Sequence, residues 1–328
     1  MKRLILTSSS GSGLARSGLA ELVISSSFHF EWGPLPSPGK LAAYFAARSA
    51  NLGPGDHWSD WGILWPKGIK DRKGLSLADF CEPYDVIELW FDPAPRDQLQ
   101  LVCLLDYLSS CSSLVRKLRL RLVASDLMIE SGEDLAASEP HIHVARITAR
   151  EFETAKLAWS AYRAATPEAC VDLVHQDLSA LLMLRPALLD LLAELPSPST
   201  GLGATEMRFL EMLAGGFANT NALFHLRSLR RTFVFGETEL GRLLDGLALG
   251  PSPAVAGLDD ELRTIDRENH RDRHAAYLRS RLSLTEFGEA VLAGKEDFSR
   301  HNPIDRWWGG TRLTNDRLWR YGSVLTKP

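Results

Sequence analysis

The sequence predicts an α/β protein: a mostly parallel, Rossmann-like N-terminal sheet, an α-helical connector and a winged-helix-like C-terminal domain. In the first part of the chain, apolar strand patterns alternate with helical patterns, which is typical of a parallel sheet. After residue 145 the pattern becomes helical, and beyond a Pro/Ser/Gly cluster three helices precede a polar segment. We place the α/β domain at 1–145, the connector at 146–200, the winged-helix-like domain at 201–300 and a C-terminal tail at 301–328.

Four strands are predicted in the N-terminal domain. "RLILT" and "ELVIS" flank a Ser/Gly loop and a helix with leucines on one face. "DVIELWFD" is almost continuously apolar, as expected for a strand whose two faces are both covered. "KLRLRLVAS" alternates leucine with basic residues, so we expect one of its faces to be solvated. Helices are predicted for "KLAAYFAARSANLG", ending at Gly53, and for "RDQLQLVCLLDYLSS".

The C-terminal half shows helix-start signals and an aromatic end. Thr148 and Glu151 have the spacing of a capping box, in which the side chain of each residue bonds the backbone of the other. Thr205 is predicted to cap the first helix after the Pro/Ser/Gly cluster. In "IDRWWGG", Asp305 and Arg306 are expected to pair, and the two tryptophans are expected to pack on the body of the protein.

Composition excludes several function classes. The 328 residues carry a formal net charge of −4, so we expect no electrostatic attachment to nucleic acid. Apolar runs are too short to span a bilayer, so no membrane partner is expected. The four cysteines form no Cys-x-x-Cys pair, which favours a reduced, cytoplasmic protein. We predict no metal site, and the sequence identifies no cofactor.

The first candidate site is the loop of Ser8, Ser9, Ser10 and Gly11. A Ser/Gly turn between a strand and a helix can hold an anion, because free N–H groups and the helix dipole favour negative charge. The loop matches neither a P-loop nor a complete Gly-x-Gly-x-x-Gly pattern. The alternative is a flexible turn in which serines cap the helix.

The second candidate site follows the most apolar strand, in "DPAPRDQ". Asp92, Arg96, Asp97 and Gln98 would lie at the carboxyl end of that strand, where open α/β sheets bind ligands. Pro95 suits the first position of a helix, and an acid in the first turn offsets the helix dipole. Helix capping alone would explain Asp97, with Asp92 as the capping residue, so the structural alternative is strong.

The third candidate is the pair His29 and Glu31, on the loop after the second strand. Such a pair can carry out general acid–base work if a substrate reaches it, although an incidental pair is the commoner case. Trp58, Trp61 and Trp65 have a spacing that suits either a ligand-stacking wall or a helical core face, and we favour the core.

The winged-helix-like segment lacks the positive charge expected of a domain that binds DNA. A recognition helix needs basic and amide side chains toward the groove. The third helix carries Glu237, Glu239 and Asp245 against Arg242. Because affinity for nucleic acid depends on neutralising phosphates, we expect packing or protein contact instead.

Five segments resemble a bacterial family, the domain of unknown function 1835. They are "LTSSSGSGLARSGL", "FEWGPLP", "LWFDPAPRDQLQL", "LSLTEFGEAVLAG" and "IDRWWGGTRL". The family has no established reaction, so the resemblance implies architecture more than activity. Polar residues typical of the family are replaced: the first loop lacks an acid, and the family's His-Asp pair after the strand is Pro93 and Ala94.

These observations predict a protein that binds an anion or nucleotide, or a protein partner, with little or no catalysis. One alternative is a hydrolase or transferase acting on a phosphorylated or nucleotide substrate, with His29, Glu31, Asp92 and Asp97 as acid–base groups. The binding residues would be Ser8, Ser9, Ser10, Gly11, Arg96 and Gln98. The other alternative is a winged-helix transcription regulator.

Overall fold

The computed structural model describes residues 1–26, 28–61, 69, 72–225, 234–259 and 269–328, which form two compact units. The first unit consists of Met1–Phe30, Leu35–Arg163 and Leu173–Ala187. The second consists of Glu31–Pro34, Ala164–Asp172 and Leu188–Pro328.

A five-stranded sheet forms the centre of the first unit. Its strands are β1 (Arg3–Ser8), β2 (Leu22–Ser26), β3 (Val86–Phe91), β4 (Leu118–Leu122) and β5 (Val144–Arg146). They are ordered β2-β1-β3-β4-β5; β1 to β4 run parallel, and β5 pairs antiparallel with β4. The predicted mixed α/β architecture with a mostly parallel sheet is therefore confirmed.

Helices surround this sheet. They are α1 (Pro38–Phe45), α2 (Leu77–Cys81), α3 (Pro95–Ser109), α4 (Ser112–Val115), α5 (Gly132–Ser138) and α6 (Ala149–Tyr162), with 3-10 helices at Ser9–Arg16, Trp58–Trp61 and Glu139–His141. The predicted capping box of Thr148 and Glu151 begins α6. The first predicted helix is wrong in type, because the stretch after the serine loop is a 3-10 helix.

Helix α1 is also shorter than predicted, since it ends at Phe45 and not at Gly53. The backbone N–H of Arg48 donates to the carbonyl of Gly74, at 2.9 Å. If α1 continued, the N–H of Arg48 would donate to a carbonyl within the helix. It is bonded to Gly74 instead, so the helix ends before it.

The strand β4 does not have the solvated face that its Leu/basic alternation predicted. Arg121 is only 5% exposed, and its Nε and a terminal nitrogen each donate to the carboxylate of Glu88 at 3.0 Å. The indole N–H of Trp90 donates to the same carboxylate, at 2.9 Å. The positive charge of Arg121 can be buried because Glu88, on the adjacent strand β3, supplies a negative charge that is hydrogen-bonded to it.

Two apolar layers cover the sheet. On one face, Ile5 and Trp90 pack with Leu14 of the 3-10 helix, and with Val123, Leu127 and Leu135. Leu4, Leu6 and Leu89 alternate with Ile5 and Trp90 along their strands and are buried as well. Helix α3 packs against α6 and buries Leu101, Val102, Leu105 and Leu108.

The chain passes between the units within α7 (Glu168–Val174) and α8 (Leu184–Ala193). The second unit then contains α9 (Ala204–Ala214), α10 (Thr220–His225), α11 (Glu237–Ala248), α12 (His270–Arg279) and α13 (Glu286–Leu292), and a 3-10 helix at Phe298–Arg300. Its strands are β6 (Val255–Ala256), β7 (Ser283–Leu284), β8 (Asp305–Trp308), β9 (Thr311–Thr314), β10 (Arg320–Tyr321) and β11 (Leu325–Thr326), which pair as three antiparallel hairpins or ribbons.

Two local predictions in the second unit are wrong. The N-cap of α9 is Gly203, and the hydroxyl of Thr205 donates instead to the buried carboxylate of Glu194, at 2.6 Å. Asp305 pairs with Arg312, whereas Arg306 pairs with Glu206. Neighbouring residues of a strand point to opposite faces, so Asp305 and Arg306 cannot easily pair with each other.

Trp308 contributes to the core of the second unit. It is buried, and its indole N–H donates to the carbonyl of Leu191, at 2.6 Å. Across the described ranges, no helix has both the length and the apolar character needed to cross a bilayer.

Candidate functional site

The order of the strands in the sheet reverses at β1 and β3. After β1 the chain continues to β2, on one side of the sheet, and after β3 it continues to β4, on the other side. The direction in which strands are added therefore reverses between the neighbouring strands β1 and β3. In open α/β sheets, ligands bind at such a reversal, outside the carboxyl ends of the strands. We define the carboxyl-edge site as the residues that follow β1, β3 and β4 at this end of the sheet.

The serine loop is attached to helix α3. The Ser8 hydroxyl donates to Oδ2 of Asp97 at 2.6 Å and accepts the N–H of Ser10 at 3.0 Å. The Ser10 hydroxyl donates to Oδ1 of Asp97, at 3.2 Å. A Cβ at Gly11 would lie 2.0 Å from Oγ1 of Thr7, so only glycine fits there. The loop is therefore held in one conformation by buried hydrogen bonds.

Asp97 is buried inside this arrangement. Its side chain is 0% exposed, and burial, together with the charge of Asp92, raises its pKa to about 8. The hydrogen bonds from Ser8 and Ser10 act in the opposite direction. The helix starts at Pro95 with Ala94 as its N-cap, without a side-chain cap. Asp97 does lie in the first turn of α3, as predicted, but helix capping does not explain it fully, because its carboxylate also accepts the hydroxyls of Ser8 and Ser10.

Asp92 connects two further loops. Its Oδ1 accepts the N–H of Ala94 at 2.9 Å, and it also accepts a backbone N–H from Leu127, in the loop after β4. Burial and the charge of Asp126 raise its pKa to about 6, while these hydrogen bonds and the charge of Arg96 lower it. Asp92 is thus not the N-cap of α3, and its carboxylate binds backbone that precedes the helix.

Gln98 and Arg96 differ in exposure. Gln98 is buried and donates from its amide to the carbonyl of Asp92, at 2.7 Å. Arg96 is half-buried in the first turn of α3. Gln98 therefore stabilises the loop, whereas the positive charge of Arg96 acts on Asp92 and lowers its pKa.

Sequence reasoning missed one member of the site. Asp126 follows β4, is half-buried, and acts electrostatically on Asp92. Its Oδ1 accepts the N–H of Met128, at 2.9 Å. The signal was present, since Asp126 directly follows a predicted strand, but the sequence alone did not show that this strand lies next to β3.

The arrangement holds a proton at neutral pH. With pKa values raised to about 8 for Asp97 and about 6 for Asp92, the pair carries close to one negative charge in place of two. Two like charges in a buried site cannot both ionise at their ordinary pKa. The carboxyl edge is therefore less negative at neutral pH than its acid content suggests.

The remaining predicted residues do not join this site. His29 is exposed and lies in the first unit, whereas Glu31 is buried and lies in the second. Trp58 is buried, packs on Phe80 and donates its indole N–H to the carbonyl of Leu75, which confirms a core role. Trp65 lies outside the described residues.

A scan of known protein families and a search of curated proteins both find nothing that matches this chain. The resemblance to the domain of unknown function 1835 family stays a prediction.

Proposed function

We propose that the protein binds a small phosphate-bearing ligand, of the nucleotide class, at its carboxyl-edge site, with little or no catalysis. The observation that carries this proposal is the double attachment of Asp97 to Ser8 and Ser10. It holds the serine loop rigid beside the reversal of strand order, where such ligands bind.

The chemistry of the serine loop supports binding of an anion. The first backbone N–H groups of a helix lack partners within that helix. In the 3-10 helix that begins at Ser9, the N–H of half-buried Ser9 is of this kind and is suited to a phosphate oxygen. Arg96 adds a positive charge in the first turn of α3. The proton held by Asp92 and Asp97 reduces repulsion of the anion, so ligand affinity should fall as the pH rises through about 8.

The acid pair itself is poorly placed for catalysis. A general acid or base must reach the proton that it transfers. Asp97 is 0% exposed and both its carboxylate oxygens accept serine hydroxyls. Asp92 is 3% exposed and accepts backbone N–H groups. Both carboxylates therefore act on the protein's own loops, which favours binding over reaction.

Calorimetric titration with nucleoside diphosphates and with inorganic phosphate tests the proposal. Arg96→Gln should weaken binding about 5- to 10-fold, as expected for one charge-assisted contact. Arg150→Gln is the matched control, because this arginine is exposed and pairs with exposed Asp177. No binding to any of these anions by the unmodified protein would reject the proposal.

A hydrolase or transferase is the second candidate. Paired carboxyl groups with pKa values pushed apart are typical of acid–base sites, and Asp92 and Asp97 differ in this way. Turnover of a phosphorylated substrate that disappears in both Asp92→Asn and Asp97→Asn, while nucleotide binding persists, would favour this candidate. Turnover that survives both changes would remove them from the mechanism.

The helices of the second unit support a winged-helix-like arrangement as a further proposal. Helices α9, α10 and α11 precede β6, which pairs with β7, and an antiparallel bridge joins Asn219 to Arg281. In α11, Glu239 and Asp245 are buried, which favours packing or protein contact. A regulator would require salt-dependent binding to duplex DNA, and its absence at low salt would exclude that role.

A further inference from the structure

The first unit contains a cavity separate from the hydrogen bonds of the carboxyl-edge site. It lies among β1, β2, α1 and α3 and has a volume of about 30 Å³. Its walls are chiefly apolar and include Leu6, Ile24, Phe28, Phe45, Leu77 and Leu104. None of the lining residues that the structure describes carries a charge.

Three polar lining residues already have partners in the protein. Thr7 donates its hydroxyl to the carbonyl of Trp90, at 2.6 Å. Ser26 donates to Oε1 of Gln100 at 2.8 Å, and Gln100 donates from its amide nitrogen to the carbonyl of Phe28 at 3.1 Å. Gln100 thus uses both ends of its amide. These residues offer little to an additional polar group inside the cavity.

Tyr44 is the exception. It lines the cavity and is 6% exposed, and its hydroxyl is buried with no hydrogen-bond partner among the described residues. Burial raises the pKa of this phenol well above its ordinary value, so the group is neutral and can donate. A buried hydroxyl without a partner is unfavourable. The cavity therefore presents one unmet hydrogen-bonding group within an apolar wall.

We propose that this cavity binds a small uncharged organic molecule with a short apolar body and one oxygen that accepts the Tyr44 hydroxyl. A buried water needs two to four polar partners, and here Tyr44 is the main one. An anion is excluded because burying a charge without a counter-charge is very costly. The volume admits about two to three water-sized groups, which limits the ligand to an alcohol or aldehyde of one or two carbons.

This proposal is independent of phosphate binding. The full-length protein with labelled methyl groups is titrated with methanol, with ethanol and, separately, with xenon. Xenon fills apolar cavities without hydrogen bonds. Saturable shifts are expected at the methyl groups of Leu6, Ile24, Leu77 and Leu104 with all three probes. Absence of saturable shifts with every probe overturns the proposal.

Tyr44→Phe tests the hydrogen bond. It should weaken ethanol binding about 5- to 10-fold, the effect of one neutral hydrogen bond, and leave xenon binding unchanged. Tyr84→Phe is the control, because Tyr84 is buried but does not line the cavity. Equal loss in both variants, or xenon binding without alcohol binding, contradicts the proposal. A long-lived water contacting the Tyr44 ring in the unmodified protein also contradicts it.

Leu104→Phe provides a second test that keeps Tyr44 intact. The larger side chain should fill the cavity and abolish binding of both xenon and ethanol. Retention of either at the original affinity would show that the probes bind elsewhere, which rejects this cavity as the site.

Discussion

Replacing Asp97 by asparagine should remove a pH-dependent loss of stability. The pKa of Asp97 is about 8 in the folded protein, against an ordinary value of 3.8. At a pH between these two pKa values, Asp97 holds a proton in the folded protein and has released it in the unfolded chain. Stability must therefore fall as the pH rises through this range.

The size of the effect follows from this pKa. Raising the pH from 6 to 8 should lower the free energy of unfolding by about 2 kcal/mol through Asp97 alone, since one pKa unit corresponds to about 1.4 kcal/mol. An asparagine side chain at this position cannot ionise, yet it keeps an oxygen acceptor for one serine hydroxyl. The Asp97→Asn variant should thus lose about 2 kcal/mol less than the unmodified protein over this range, although it is less stable at pH 6.

Urea denaturation at pH 6 and pH 8 measures the difference between the two proteins. Asp172→Asn is the control, because Asp172 is exposed. Glu194 in the second unit also has a raised pKa, of about 7, and contributes equally to both proteins. The reasoning is refuted if Asp97→Asn loses as much stability as the unmodified protein between these pH values.

Three other substitutions test contacts elsewhere. Arg121→Met should destabilise the protein by about 3 kcal/mol in urea, because the buried Glu88 carboxylate loses its two-bond partner and keeps Arg3, 3.5 Å away, as a weaker counter-charge; a loss under 1 kcal/mol would contradict this. Ser131→Ala removes the capping box of α5 and should cost about 1 kcal/mol by the same assay. Trp308→Phe removes the indole N–H that donates to the carbonyl of Leu191, which keeps the N–H of Glu194 as a donor, and should lower the stability of the second unit by about 1 kcal/mol in thermal denaturation, more than Trp307→Phe does.

The strands and helices nearest to the site could be predicted from local sequence. The apolar run of β3 and Pro95 at the start of α3 are signals within one short segment, and the structure confirms both. Thr148 likewise shows its capping role through a residue three positions away. Such features depend on neighbours in sequence, and sequence patterns record them directly.

The chemistry of the site could not be predicted in this way. Ser8 and Asp97 lie 89 positions apart, and their contact depends on β1 and β3 being neighbours. Strand order also buries Arg121 beside Glu88, although alternation within β4 suggested a solvated face. Pairing between strands is a tertiary property, and single-strand patterns do not determine it.

A structure of the protein soaked with a nucleoside diphosphate tests the central claim most directly. We predict a phosphate group within hydrogen-bond distance of the backbone N–H of Ser9, with Arg96 turned toward it. The attachment of Asp97 to Ser8 and Ser10 should remain unchanged. A carboxyl-edge site that stays empty at saturating nucleotide, or a phosphate bound only elsewhere, would contradict the account.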